Sequence, residues 1–288
     1  MFAEYVNSGN TDTDAVLTQD IDLNGEDWTT ICETGLYYSG YGKEVGYTGT
    51  FDGAGHVISN LKVTSSSGRD ASAGLFGTVS GVIQNLGVEN VTFTDGGNDI
   101  RAAAIVGQLI TSDGKISNCY VKNAKISPKD HVVGGIAGCV YDGLIENCYV
   151  VGSDIQGTGG RYGHIVGDSR GDGGDSDRKG TIRNCYTDSE TLYSSQAGII
   201  ENCMASVSEE CFMSGEITSR LNLNVTDGTQ KFYQTCGTGY PAFSGKTVYS
   251  GYADCEIEKI SYSNSVFPAS GHQVDYKKEE GIIKVKCS

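Results

Sequence analysis

The residues of this sequence that could do chemistry are few, and their spacing argues against most reactions. A zinc peptidase of the HExxH kind needs two His one helical turn apart, so that both rings meet one metal while the Glu activates water. None of the four His (His56, His131, His164, His272) is followed by Glu. They read as surface or turn residues. The densest run of hard oxygen ligands is DSRGDGGDSDRK, where Asp168, Asp172, Asp175 and Asp177 sit on a Gly-rich backbone of the kind Ca2+ sites use. Its spacing fits neither an EF-hand nor a Gly-Gly-x-Gly-x-Asp repeat, so a solvated loop is the alternative reading. Apart from Ca2+, no cofactor is expected. The Arg-Gly-Asp run at Arg170–Asp172 is too short to indicate a receptor.

Residues suited to contact rather than catalysis form two groups. Tyr37, Tyr38, Tyr41 and Tyr47 lie in a Gly-rich stretch without period, and Arg161 and Tyr162 form a second patch. Tyrosine offers a large amphipathic surface at low entropic cost, a usual composition for protein or glycan contact. Packing of the first stretch on its own scaffold is the competing reading.

The scaffold is a repeat. ISNLKV, IQNLGV, ISNCYV, IENCYV, IRNCYT and IENCMA recur from Ile58 to Ala205, and AGLFG, AAIVG, GGIAG and GHIVG end at Gly77, Gly107, Gly138 and Gly167. A period near 30 residues marks units that stack and share one core. In Ile-x-Asn-Cys-x-Val the strand alternation breaks at Asn, the non-glycine residue that best tolerates the left-handed conformation. Each phrase therefore reads as two short strands joined by a bend. Stacked coil on coil, Asn60, Asn85, Asn118, Asn147, Asn184 and Asn202 would form one amide ladder, and the fold class expected is all-β, a right-handed parallel β-helix.

Composition agrees with many tight turns, since 288 residues hold 41 Gly and only 3 Pro. A net charge of −15 without a basic stripe argues against nucleic acid and anionic membrane surfaces as partners. No transmembrane or signal segment is read, so membrane insertion is not expected. Of ten Cys, four (Cys119, Cys148, Cys185, Cys203) take the slot that Leu61 and Leu86 fill in earlier phrases. A slot that accepts Leu is apolar, which predicts an interior stack of thiols rather than disulfides or a metal site. Cys255 and Cys287 are equally compatible with a disulfide and with free thiols.

Along the chain, residues 1–48 read as a cap and first coil, with a short helix over residues 1–8 plugging the open end and the Tyr-rich loop following it. Residues 49–212 form the repeats. Residues 213–248 supply a helix N-capped by Ser214, with Ile217 and Leu221 on one face, laid over the last coil. Residues 249–288 read as a small β module or the start of the next domain.

LTQDIDLNGEDWTTI, TGTFDGAGHVISNLKV, AGLFG and IENCYV together resemble the GLUG-type repeats of large bacterial surface and secreted proteins, including those beside IgA-cleaving metallopeptidases. The resemblance spans roughly residues 1–250 and brings no catalytic residue with it. It implies an extracellular segment of a longer multidomain chain, a stalk or adhesive module touching host protein or glycan. A carbohydrate-active enzyme on the same fold is the alternative, as is an accessory region of a peptidase whose active site lies elsewhere. Glu89, Lys122, Val151 and Asp188 fall at comparable outward positions and form no carboxylate pair, which favours the stalk.

Overall fold

A computed structural model describes residues 1–33, 46–64, 72–93, 101–128, 132–157, 161–169, 179–194, 198–223, 225, 230–235, 239–244, 248–249, 252–253, 274–279 and 282–287. Four complete coils of parallel strands, with partial coils before and after, build a β-solenoid. Each coil visits five walls. The first wall stacks Ala15–Val16, Thr50–Asp52, Val82–Glu89, Lys115–Lys122, Leu144–Glu146, Thr181–Arg183 and Ile199–Glu201, and the second adds Ile21–Asp22, Val57–Ser59, Tyr149–Val151 and Tyr186–Thr187 to the same bent sheet. The third stacks Asp27–Trp28, Lys62–Val63, Thr92–Phe93, Lys125–Ile126 and Asp154–Ile155. The fourth stacks Ser72–Ala73, Arg101–Ala102, Val132–Gly134 and Tyr162–Gly163. The fifth stacks Phe76–Val79, Val106–Leu109, Ala137–Val140 and Val166–Asp168.

In-register pairing makes the core a set of columns. Phe51, Ile83, Ile116, Ile145, Ile182 and Ile200 align through the first wall, and Ile58, Val88, Val121, Val150 and Thr187 through the second. The glycines that set the period align as well, because Phe76, Val106, Ala137 and Val166 are register partners. A methyl group on Gly107 would lie 2.6 Å from the backbone nitrogen of Ala73, so only Gly lets the fifth wall pass so close to the fourth wall of the coil before it.

The bends are where the repeat phrase places them, but there are two per coil rather than one. Asn85, Asn118, Asn147, Asn184 and Asn202 turn between the first and second walls with φ from 51° to 53°. Asn60, Asn90 and Asn123, with φ from 56° to 58°, turn between the second and third. Asn60 therefore leaves the single ladder expected for it, since Ser59 pairs with Glu89 and not with Gln84. Leu61 leaves the Cys slot with it; only Leu86 is the register partner of Cys119. The second ladder is bonded by side-chain amides, Asn123 donating to Asn90 at 3.4 Å and Asn90 to Asn60 at 3.3 Å. In the first, Asn118 donates to Asn85 at 3.3 Å, but the Oδ1 atoms of Asn118 and Asn147 accept no bond, so the expected ladder is not continued through Asn147 and Asn184.

Helix α1 (Phe2–Asn7) closes the first coil as expected, with Val6 fully buried and the Phe2 ring 5.6 Å from Phe51. The C-terminal helices do otherwise. Ser214 ends α2 (Glu209–Met213), a helix the sequence reading missed, whose cap is the Ser208 hydroxyl accepting from the Cys211 N–H. Gly215, at φ 89°, starts α3 (Glu216–Asn222). Phe212, Ile217, Leu221 and Phe232 bury themselves against Tyr120, Tyr149 and Tyr186 on the outside of the second wall, so this segment is a lateral clip rather than a lid on the last coil. Farther on, Val248–Tyr249 with Tyr252–Ala253 and Val274–Glu279 with Ile282–Cys287 form two antiparallel hairpins.

Candidate functional site

The outward positions of the first wall align as Asp52, Gln84, Ser117, Glu146, Arg183 and Glu201. Gln84 donates to Asp52 at 2.9 Å, and Glu146 is gripped by Lys115 and Arg183, each at 2.6 Å. Burial acts to raise the Glu146 pKa, but the bonds from Lys115 and Arg183 outweigh it and hold the carboxyl below its ordinary range. An acid so paired stays ionised and cannot donate a proton near neutral pH. On the second wall Glu89, Lys122 and Val151 align as the sequence suggests, and Ser59 precedes them in the column. Glu89 accepts from the Tyr120 hydroxyl at 2.9 Å, and Lys122 lies over the Tyr240 ring at 5.8 Å.

Between these columns runs an aromatic flank. Gly87, Tyr120, Tyr149 and Tyr186 are register partners, and Tyr186 bridges to Met204. The Tyr120 and Tyr149 rings stack at 5.1 Å and 9°, and Gly87 leaves room, since its methyl would meet the Tyr120 ring at 2.5 Å. The clip covers this flank: the Tyr149 hydroxyl donates to the Pro241 carbonyl, and the Phe232 ring lies 5.9 Å from Tyr149. Alternation alone marks these tyrosines as outward, but the clip residues that meet Tyr120 and Tyr149 lie far along the chain, from Phe212 to Phe243, and no local signal announces them.

The thiol column forms as expected at Cys119, Cys148 and Cys185, each fully buried, and ends at Cys203, which is partly exposed. All four thiols meet the carbonyl two residues back, at 3.2 to 3.3 Å, so each satisfies a carbonyl at the Asn bend. Burial pushes the Cys148 and Cys185 thiols far above their ordinary value. Such thiols are poor nucleophiles.

Of the contact residues named from sequence, Tyr37, Tyr38 and Tyr41 lie outside the described residues. Tyr47 does not belong with them: it is fully buried, its ring 5.1 Å from Phe76 and its hydroxyl donating to the Thr13 carbonyl at 2.8 Å. It bridges to Val79 and so extends the fifth wall into the first coil. Arg161 is exposed and Tyr162 half-buried where the fourth wall begins. Asp168 is a buried wall residue opposite Cys139 rather than part of a pliant ligand loop. Asp172, Asp175 and Asp177 lie outside the described residues. His56 is a turn residue bonded to Asp20 at 3.1 Å, whereas His164 is buried, contrary to its reading as a surface residue. Among the described residues no helix is long and apolar enough to cross a membrane.

Residues 130–156 match the family model described as the GLUG motif. The chain carries a GLUG repeat. The match runs from Val132–Gly134 in the fourth wall, through the step to the next coil and both its bends, to Asp154–Ile155 in the third. The coils on either side repeat this course in register. A 94-residue stretch, 32% of this chain, is 42% identical to Halomucin of Haloquadratum walsbyi and spans 1% of that protein. Among solved structures the chain is similar to "a putative immunoglobulin A1 protease from Bacteroides ovatus", at 24% identity and a TM-score of 0.45, covering 67% of this chain and 68% of that one.

Proposed function

We propose that this chain is a non-catalytic stalk or adhesive segment of a larger extracellular protein, which presents irregular segments of its coils to host protein or glycan. One observation carries the reading: outward polar residues of the first two walls, among them Asp52, Gln84, Glu146, Arg183, Glu89 and Lys122, are engaged between coils or with the clip, as Glu146 is with Lys115 and Arg183 and Glu89 with Tyr120. A regular surface used to hold coils together is a spacer. The GLUG repeat and the match within a far longer relative support the same view. Contact then falls to Tyr37, Tyr38 and Tyr41, with Arg161 and Tyr162 as a second patch, and no cofactor enters the proposal.

An array of mucins, host proteins and polysaccharides, read for both binding and cleavage, tests it. Tyr38→Ala and Tyr41→Ala should weaken a bound partner by about 2 kcal/mol without lowering the melting temperature. Equal affinity in both variants removes that stretch from the proposal, and turnover of any glycan overturns the stalk.

A further inference from the structure

In three coils the residue entering the fifth wall is small: Gly74, Ala104 and Gly135. In the fourth it is His164. A methyl on Gly135 would meet the His164 carbonyl oxygen first and then the side chains of Val150 and Ile155 at 2.9 and 3.1 Å, so the position faces the core as well as the next coil. The His164 side chain is accordingly 8% exposed, and its Nδ1 is buried without a hydrogen-bond partner. Nδ1 lies 3.9 Å from Asp188 Oδ1, too far for a bond, while Asp188 Oδ2 accepts the Gly152 N–H at 2.8 Å. The ring also sits on the seam between the fourth coil and the next. The His164 and Ile165 amides donate to the Thr191 and Leu192 carbonyls at 2.8 and 2.9 Å, and Val166 donates to Leu192 at 3.3 Å.

We infer that His164 is an acid-sensitive latch on this seam: neutral, its ring fills the slot and the seam is closed; protonated, it leaves the slot for Asp188 and water, and the seam opens. A buried imidazolium with no bonded acceptor costs more than a neutral ring. The charged groups acting on it are Asp188, after Tyr186–Thr187, and Asp154, in the third wall. The strand of Gly135 and the Thr191–Leu192 segment are tied to it through backbone hydrogen bonds. Burial lowers the His164 pKa, and the two carboxylates only partly oppose this. A lowered folded value means that the stabilisation is present above about pH 6.5 and is lost as pH falls through the folded value.

Hydrogen exchange on the whole chain, between pH 7.5 and 4.5, tests the latch through the protection of residues 164–166. Protection should fall by about tenfold for each unit of pH between about 6.5 and the folded value and level off below it. His164→Ala, which copies Ala104, should abolish this fall. The same fall in His164→Ala, or none in the unsubstituted chain, overturns the inference. Should that variant not fold, the ring titration followed by NMR decides: a midpoint below about 6.5 supports the latch, and one at or above it refutes the latch.

Discussion

Asn85 donates its side-chain amide to Asp52 Oδ1 at 2.9 Å, so the ladder of the first bend comes to rest on a carboxylate. The second bend ends in the same way, with Asn60 donating to Asp22 at 2.7 Å. In both places the Asp also accepts the N–H two residues on, from Ala54 and from Asn24, each at 2.8 Å. A column of amides that all donate toward the N-terminus needs a terminal acceptor without a donor of its own, and Asp supplies one.

Asp52→Ala should therefore cost about 1–3 kcal/mol, because it strands the amides of Asn85, Gln84 and Ala54 together. Denaturant unfolding would read this as a lower midpoint at unchanged slope. A loss below about 0.5 kcal/mol would show that water replaces the carboxylate freely.

Glu146 makes a pH-dependent contribution. Its carboxyl is held below the ordinary value, so the stabilisation is complete above about pH 4.3 and is lost as acid carries the pH down through the folded value. Glu146→Gln should destabilise by about 1–3 kcal/mol at pH 7 and flatten the acid limb of the stability profile. Melting curves from pH 7 to 2 would check both, and an unaltered acid limb would assign that limb to other carboxylates.

The thiols should divide by burial. Cys119, Cys148 and Cys185 should resist alkylation until the chain unfolds, while Cys203 reacts slowly in the native state. Mass spectrometry of partly alkylated protein can count the sites, and rapid labelling of the first three would contradict the column. Cys148→Ser should cost about 1 kcal/mol, since the hydroxyl inherits the Glu146 carbonyl as a partner.

Phe232 holds the clip, fully buried and stacked 4.8 Å from Phe243. Phe232→Ala should cost about 3–5 kcal/mol within the clip and expose the segment to protease before the solenoid melts. Cleavage that begins only with global unfolding would mean that clip and coils form one cooperative unit.

The solenoid was legible because its columns demand the same residue type at the same place in every coil, as Ile83, Ile116, Ile145 and Ile182 show. The second bend was hidden by its tolerance: VENVTF, VKNAKI and VVGSDI fill it, and ISNLKV imitates the first bend closely enough to be placed there. Tyr47 was misread because a Gly-rich neighbourhood suggests a loop, while its partners Phe76 and Thr13 are brought to it only by coiling. His164 was missed for a related reason, since its burial follows from the slot that Gly135 occupies one coil earlier rather than from its own neighbours.

The two bends stand five residues apart in three successive coils, at 85 and 90, 118 and 123, and 147 and 152. The connections between the third and fourth walls, 64–71, 94–100, 127–131 and 156–161, keep no such constancy. The molecule thus has a ruled edge and a free margin. A single residue inserted between the bends would turn every later side chain of that coil to the opposite face. Whole peptides spliced between the third and fourth walls should leave the pitch untouched, which makes that margin the place to write new sequence onto this scaffold.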